Sequence, residues 1–305
     1  MKLLIGSRGS RLALWQADWV KQRVERLGVR AEIKVIRTIG DKLTGPLPVV
    51  PGGKGLFIKE IEEALDSGGV DVAVHSLKDL PVDQPARLWI AAIPDREDAR
   101  DALICRDAKS LAALPSGARI ATSSLRRTSQ LRALRPDVQP VPMRGNVDTR
   151  VVKLDRGDCD ALLMAAAGIH RLGLTARITE YFAPERLCPA AGQGALAIEV
   201  RRGDARVEDV VRELDDPPSR ATVTAERSAL RHLGGGCQTP IGAYAWIEGG
   251  RLELVGMVAS TDGSRVVRAR VSGASGQAEA AGVQLANKLL AEGAQAILDM
   301  PAADY

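Results

Sequence analysis

Aromatic side chains are scarce in this sequence. Phenylalanine, tryptophan and tyrosine together make up 3% of its 305 residues. Proteins that bind single-stranded nucleic acids stack successive bases on aromatic rings, so this scarcity argues against a protein of that class. We therefore expect no nucleic-acid partner.

Cysteine and histidine are also few. The four cysteines are Cys105, Cys159, Cys188 and Cys237, and the chain has three histidines. The cysteines lie far apart with no Cys-x-x-Cys pair, which excludes the usual zinc-site spacing and gives no sign of a disulfide framework. We expect no metal and a reducing compartment, the cytoplasm.

No long apolar run is present, and the amino terminus turns polar too soon for a secretory signal. We therefore expect no membrane span, which needs about 20 apolar residues. With 45% hydrophobic and 26% charged residues, the composition is typical of a soluble globular protein of two or three domains. No coiled coil or long apolar face is evident, so we expect a monomer.

The first two hundred residues alternate short apolar runs with helical patterns, as in βαβ units on a largely parallel sheet. Strands are predicted over 2–6, 31–36, 70–75, 88–92, 102–105, 119–122, 139–141, 161–164 and 195–200. Helices are predicted over 10–27, 56–66, 124–134, 148–155 and 207–214.

The pattern changes after Asp-Asp-Pro-Pro at 215–218, the clearest boundary in the chain. Beyond it we predict a helix, a three-stranded antiparallel sheet and a final helix, over 219–233, 243–247, 252–259, 265–271 and 277–290. Turns with Gly-Gly at 249–250 and Asp-Gly at 262–263 favour hairpins between these strands. The prediction is two α/β lobes and a smaller α+β lobe, with the ligand cleft where the lobes meet.

Four loops combine small residues, the start of a helix and a cation. They are Gly-Ser-Arg-Gly-Ser at 6–10, Gly-Gly-Lys-Gly at 52–55, Ser-Ser-Leu-Arg-Arg at 123–127 and Arg-Gly-Asn at 144–146. Free amides at a helix start, together with a basic side chain, bind anions. Arg126 and Arg127 in a first helical turn oppose the helix dipole, which favours a functional role over a helix-stabilising one. We predict a polyanionic ligand.

The run His-Ser-Leu-Lys-Asp at 75–79 follows a buried strand pattern. Asp79 is the acid best suited to chemistry, because a carboxylate beside cations stays ionised and can stabilise a cation in a dry cleft. A surface turn at Lys78 and Asp79 is the alternative. We expect His75 to be a hydrogen-bonded histidine at the strand end and not a base.

Cys237 lies in the run Gly-Gly-Gly-Cys-Gln-Thr-Pro at 234–240. Three glycines clear one flank of the thiol and let a bulky group approach. A glycine-rich turn that happens to carry a cysteine explains the same residues. A thiol hydrolase would need a histidine as base, and His232 is the nearest in sequence.

The loops extend into longer motifs at 6–10, 53–57, 75–81, 122–127, 144–150, 171–173, 192–194 and 234–240. In these motifs, and in their order over nearly the whole chain, the sequence resembles the porphobilinogen deaminases, also called hydroxymethylbilane synthases. These transferases belong to heme and other tetrapyrrole biosynthesis.

The resemblance implies that Cys237 holds a dipyrromethane cofactor through a thioether. Four further porphobilinogen units would be deaminated and joined to it head to tail, and hydrolysis would release the linear tetrapyrrole hydroxymethylbilane. Asp79 would contact the pyrrole nitrogens and stabilise the azafulvene cation that forms as ammonia leaves.

The resemblance also implies roles for residues that match the family's motifs. The catalytic set would be Asp79, Lys78, Arg8, Arg126, Arg127, Arg144 and Arg150. The cofactor would contact Lys78, Asp79, Ser124, Arg126, Arg127 and Arg144. Substrate carboxylates would be held by Arg8, Ser10, Lys54, Ser76, Arg144, Arg150, Arg171 and Gln193.

The fold implied by the resemblance is two lobes of the periplasmic-binding-protein type II class plus a small α+β domain that carries the cofactor. The implied domains are 1–96 with 195–215, then 97–194, then 219–305. A non-catalytic two-lobed binding protein for a carboxylated small molecule remains the alternative. The chemical state of Cys237 distinguishes the deaminase from the binding protein, because a binding protein leaves the thiol unmodified.

Overall fold

The computed structural model describes residues 1–42, 58–235 and 239–300. The chain forms two compact units. The first comprises the described residues up to Arg96 together with Ala195–Arg220, and the second comprises Glu97–Gly194 together with the described residues from Ala221 onward. The finer division into three domains stays a prediction.

The strands are β1 (Lys2–Ser7), β2 (Arg30–Val35), β3 (Val72–Ser76), β4 (Leu88–Ala92), β5 (Asp101–Cys105), β6 (Arg119–Ala121), β7 (Gln139–Val141), β8 (Ala161–Ala165), β9 (Glu180–Tyr181), β10 (Leu196–Arg201), β11 (Ile241–Glu248), β12 (Arg251–Ala259) and β13 (Val266–Ala274). The helices are α1 (Arg11–Arg26), α2 (Ile39–Lys42), α3 (Lys59–Asp66), α4 (Leu125–Leu134), α5 (Val147–Asp155), α6 (Ala166–Arg171), α7 (Ala205–Arg212), α8 (Pro217–His232), α9 (Ala278–Ala291) and α10 (Gln295–Leu298). Short 3₁₀ turns occupy Leu77–Asp79, Thr175–Arg177 and Ser275–Gln277.

The first unit is built on a five-stranded sheet in the order β2-β1-β3-β10-β4. Strands β2, β1 and β3 are parallel, whereas β10 runs antiparallel to both β3 and β4. Apolar side chains of α1 and α7 cover one face of this sheet. Ile61 and Leu65 of α3 pack in the core on its other face.

The second unit contains a sheet with the equivalent order, β7-β6-β8-β5-β9. Strands β7, β6 and β8 are parallel, and β5 runs antiparallel to β8 and β9. The expectation of largely parallel sheets was therefore wrong for β5 and β10. Both strands are buried along nearly their whole length. They therefore carry the near-continuous apolar run that is typical of parallel strands covered on both faces.

The second unit also contains the antiparallel sheet β11-β12-β13, with α8 and α9 contributing to the core on one of its faces. Gly249 and Gly250 have φ values of 56° and 77°, the left-handed region that a two-residue hairpin requires. The predicted fold class is confirmed: two α/β sheets of equivalent strand order and an α+β part with a three-stranded antiparallel sheet.

The strand directions decide which loops come together. Carboxyl ends of parallel strands lie at the same end of a sheet, so the loops after β1 and β3 are neighbours, as are those after β6, β7 and β8. An antiparallel strand brings its amino terminus to that same end. Leu196 of β10 pairs with Ser76, and Asp101 of β5 pairs with Ala165.

Candidate functional site

The loop after β1 carries Arg8 and leads into α1. Ser10 is the N-cap of that helix, and its Oγ accepts a hydrogen bond from the Ala13 amide at 3.3 Å. Such a cap contributes about 1 kcal/mol to helix stability. Ser7 is buried and its hydroxyl donates to the Ala13 carbonyl at 3.1 Å. These bonds fix the loop, and the half-buried Arg8 extends from it.

The turn after β3 carries Ser76, Lys78 and Asp79. Ser76 Oγ accepts a hydrogen bond from Gln16 Nε2 of α1 at 3.0 Å. The amide of Leu77 donates to the Ala195 carbonyl at 3.0 Å, which ties the 3₁₀ turn to the start of β10. Lys78 is half-buried, while the Asp79 side chain is exposed. The exposed Asp79 carboxylate therefore lies on a turn that the bonds of Ser76 and Leu77 hold to α1 and to the start of β10.

His75 points into the first unit instead of toward this turn. Its Nε2 lies 3.3 Å from Glu199 Oε2, and both side chains are almost fully buried. His75 pairs with Ala197 in the register of β3 and β10. Glu199 is two residues beyond Ala197 on β10, so its side chain lies on the same face of the sheet as that of His75. His75 Nε2 makes no hydrogen bond in the described structure, so the expected hydrogen bond is not found at this atom. That His75 is not a base stays a prediction.

In the second unit, Asp101 lies at the sheet end where the loops after β6, β7 and β8 emerge, and it binds several candidate side chains there. The fully buried carboxylate accepts hydrogen bonds from Arg126 Nη1 at 2.6 Å and from Arg127 Nη2 and Nε at 2.6 and 2.9 Å. Gln193 Nε2 donates to the same carboxylate at 2.9 Å and to the Ala99 carbonyl at 2.7 Å. One acid thus binds three of the side chains that the sequence singled out.

Two opposing effects set the pKa of Asp101: burial of its carboxylate and the positive charges of Arg126 and Arg127. Burial on its own would raise the pKa, but Arg126 and Arg127 outweigh it and hold the pKa well below the usual range. The carboxylate is therefore ionised at neutral pH, and two arginines share a single negative charge.

Arg144 and Arg150 add further positive charge in the same unit. Arg150 Nε donates to the Gly145 carbonyl at 2.9 Å, and Gly145 has a φ of 118°. Burial lowers the pKa of Arg150, and the positive charges of Arg127 and Arg144 lower it further. Guanidinium groups that repel one another in this way favour a bound anion.

Arg171 and Ser124 complete the predicted residues of this unit. Arg171 is buried at the end of α6, and its Nη2 donates to the Gly194 carbonyl at 2.7 Å. Burial lowers the pKa of Arg171 to about 10, although the negative charge of Glu97 opposes this change. Ser124 precedes α4 but its side chain makes no capping bond in the described structure. The Arg171 side chain therefore supports the backbone beside Gln193.

Lys54 and Cys237 lie outside the described residues. The structure does describe both flanks of the cysteine. The Gly235 amide donates to the Leu230 carbonyl within α8, and the Pro240 carbonyl accepts from the Ala259 amide at the end of β12. His232, the alternative base for a thiol hydrolase, lies 2.9 Å through Nε2 from Asn287 Oδ1 of α9.

Asp101 is the residue that sequence reasoning missed. It begins the apolar run Asp-Ala-Leu-Ile-Cys, and a single acid at the start of a buried strand was the available signal. Placing it beside Arg126 required knowing that β5 is antiparallel. Among the described residues, no group of three or more metal-ligating side chains could hold a metal ion. No described helix is long and apolar enough to cross a membrane.

Known proteins resemble the chain over almost its entire length. The family model described as porphobilinogen deaminase, dipyromethane cofactor binding domain, matches residues 3–209, and the model of the C-terminal domain matches residues 220–291. The chain belongs to the porphobilinogen deaminase family. The resemblance noted in the sequence is thereby confirmed, and the first matched region is the family's cofactor-binding domain.

Individual relatives agree with this assignment. The porphobilinogen deaminase of Syntrophobacter fumaroxidans is 50% identical over 298 residues, covering 97% of this chain and 96% of the relative. That of Syntrophotalea carbinolica is 50% identical over 299 residues, with 97% and 95% covered. Among solved structures, a putative methionine-binding lipoprotein of Bacillus subtilis is similar at 13% identity, with a TM-score of 0.44 over 70% of this chain and 89% of that one.

The side chains of the second unit fit the family's dipyrromethane cofactor. Its acetate and propionate groups are carboxylates, and guanidinium is the cation best matched to them. The positive charges of Arg127, Arg144 and Arg150 lie near one another, while Asp101 is the acid bound to Arg126 and Arg127. Positive charge thus exceeds negative charge among these residues, as a site for carboxylates requires.

Proposed function

We propose that this protein is a hydroxymethylbilane synthase, a transferase that deaminates porphobilinogen and joins four units head to tail on a dipyrromethane primer attached to Cys237. Hydrolysis then releases the linear tetrapyrrole hydroxymethylbilane. The observation that carries this proposal is the arginine cluster around Asp101, in a chain of the porphobilinogen deaminase family.

Binding is the task of the cations. Arg126, Arg127 and Arg144, with Ser124, would hold the carboxylates of the cofactor. Those of the substrate would be held by Arg8, Ser10, Lys54, Ser76, Arg144, Arg150, Arg171 and Gln193. Charge-assisted bonds from arginine to carboxylate are about twice as strong as neutral hydrogen bonds, and paired donors also fix orientation. The dipyrromethane, when bound, supplies the terminal pyrrole to which the first substrate is joined.

Asp79 would act on each incoming porphobilinogen. The bond between the aminomethyl carbon and nitrogen breaks as ammonia leaves, and the ring becomes cationic. A new carbon–carbon bond then forms to the growing chain, whose terminal ring carbon loses a proton. The exposed Asp79 carboxylate would stabilise the cation through the pyrrole N–H groups, with Lys78 beside it.

We expect a monomer in the cytoplasm that takes porphobilinogen and binds neither nucleic acid nor membranes. The buried cysteines Cys105, Cys159 and Cys188 are free thiols, which fits a reducing compartment.

The test is to incubate the purified protein with porphobilinogen and measure ammonia and the tetrapyrrole together. We expect about four ammonia molecules for each hydroxymethylbilane. Asp79→Asn should lower turnover at least about 100-fold, because a charge that stabilises the transition state is lost. Asp83→Asn, which removes an exposed carboxylate nearby, is the control and should keep wild-type turnover.

Two results would contradict the proposal in different ways. Binding of porphobilinogen without ammonia release would favour the alternative of a non-catalytic binding protein. Near-normal turnover in Asp79→Asn would remove Asp79 from its role while leaving the enzyme assignment intact.

A further inference from the structure

We propose that Asp101 is a positioning residue of the reaction: it fixes the guanidinium groups of Arg126 and Arg127 so that they meet substrate and cofactor carboxylates in one defined orientation. The inference rests on the proposed function. It concerns a residue that touches the reacting molecules only through these arginines.

Hydrogen bonds to Asp101 constrain both arginines. One carboxylate oxygen of Asp101 binds Arg126 Nη1, and the other binds both Nε and Nη2 of Arg127. Arg126 Nη1 also donates to the Cys188 carbonyl at 2.5 Å. Arg127 is held through two donor nitrogens, so its guanidinium cannot rotate about the long side chain. Within the described residues, Arg126 is held through Nη1 alone, which bonds two acceptors, Asp101 and the Cys188 carbonyl.

A second set of bonds fixes Asp101 itself. It is the first residue of β5, paired with Ala165 at the carboxyl end of β8, so its backbone belongs to the sheet. Gln193 Nε2 bridges its carboxylate to the Ala99 carbonyl. The carboxylate therefore has one position, and that position defines where both guanidiniums lie.

Asp101 also offsets the positive charge of the two buried arginines. Arg126 and Arg127 begin α4, where the positive end of the helix dipole disfavours cations. Both side chains are nearly fully buried and next to each other in sequence, so without an anion they would repel one another. The single negative charge of Asp101 neutralises one of these two positive charges. The other positive charge is available to an anionic ligand.

The first test compares Asp101→Asn with Asp98→Asn by steady-state kinetics on cofactor-loaded enzyme. Asn keeps the size of the side chain but places an amide against a guanidinium. We expect kcat/KM to fall about 10- to 100-fold, with a higher KM for porphobilinogen, because a displacement of about 1 Å can cost that much. Asp98 binds Arg100 through 2.7 and 3.0 Å bonds outside the candidate site, so its variant should stay within about twofold.

The second test asks whether Asp101 acts through its partner. A double-mutant cycle combines Asp101→Asn with Arg127→Gln. The fall in kcat/KM caused by Asp101→Asn should be several-fold smaller in the Arg127→Gln background than in the wild type. The double variant also retains the buried net charge of the wild type. If Asp101→Asn alone fails to fold, the double variant is compared with Arg127→Gln and should lose less than about tenfold.

The outcomes separate the two proposals. A folded Asp101→Asn enzyme with wild-type kcat and KM overturns the positioning role, as does a further loss of about 100-fold in the double variant relative to Arg127→Gln. Lowered melting temperature with unchanged KM and kcat would make Asp101 structural only. Absence of turnover in the wild type would instead overturn the proposed function.

Discussion

At the scale of single residues, the second unit shows why an arginine cluster needs an acid. Two guanidiniums at the start of a helix are unfavourable, and burying them makes the cost larger. Asp101 offsets that cost with hydrogen bonds of 2.6 to 2.9 Å. Breaking such a buried pair typically destabilises a protein by about 3–5 kcal/mol. We therefore expect Asp101 to stabilise the fold in addition to its proposed positioning role.

The depressed pKa of Asp101 predicts a pH dependence of stability. The carboxylate is ionised in the folded protein at pH values where the unfolded chain, with a pKa of about 3.9, already binds a proton. Its contribution is therefore complete above about pH 5 and is lost as the pH falls toward the folded-state pKa.

Urea unfolding of wild type and Asp101→Asn across pH checks this dependence. The difference in unfolding free energy should be constant from pH 7 to about pH 5 and should narrow below about pH 4. A difference that does not change down to about pH 3 would show that the carboxylate is not stabilised by its charge.

At the scale of elements, the five-stranded sheet of each unit has one antiparallel strand that begins at the sheet end where the candidate residues lie, β10 in the first unit and β5 in the second. They bring Asp101 and the segment before Leu196 to the sheet ends where the loops after β3 and β8 emerge. In the second unit, the loops after the parallel strands supply Arg126, Arg127 and Arg144, and the antiparallel strand β5 supplies Asp101. The strand direction therefore decides which side chains meet.

Most elements were predictable because their periodicity and caps are local signals. The Ser10 cap of α1 and the Gly-Gly hairpin at 249–250 are examples, since each depends on a few adjacent residues. The direction of β5 and β10 was not predictable, because a strand buried on both faces has the same apolar pattern either way. The cationic loops could be proposed from local sequence, whereas the bonds of Asp101 to Arg126 and Arg127 required the tertiary pairing of β5.

Gly194 allows a close approach of two backbone segments. Its φ is 89°, and a Cβ there would lie 2.2 Å from the Glu97 carbonyl oxygen. Gly173 has a similar φ of 71° in the same unit but nothing within 4 Å of a Cβ. Gly173→Ala should therefore cost about 1–2 kcal/mol from the left-handed backbone alone, whereas Gly194→Ala has to displace a carbonyl as well.

We expect Gly194→Ala to lose at least about 2 kcal/mol more than Gly173→Ala in urea unfolding. It should also lower turnover, because Gln193 and the Arg171 bond lie beside it. Equal losses in the two variants would show that the contact with Glu97 is not close in solution.

At the scale of the whole molecule, each unit carries part of the predicted set. The first contributes Arg8, Ser76 and Asp79, and the second contributes the arginines around Asp101. A net charge of +4 would not by itself indicate a polycarboxylate ligand. The local excess of guanidinium groups in the second unit favours such a ligand, and this unit overlaps the match to the family's dipyromethane cofactor binding domain.

The central claim is that the chain carries a covalently attached dipyrromethane on Cys237. Intact mass spectrometry tests it most directly, on protein purified from cells that make porphobilinogen. We predict that wild type and a Cys105→Ser control both exceed their sequence masses by two condensed porphobilinogen-derived rings, whereas Cys237→Ser does not. An unmodified wild-type mass, or an adduct that persists in Cys237→Ser, would contradict the account.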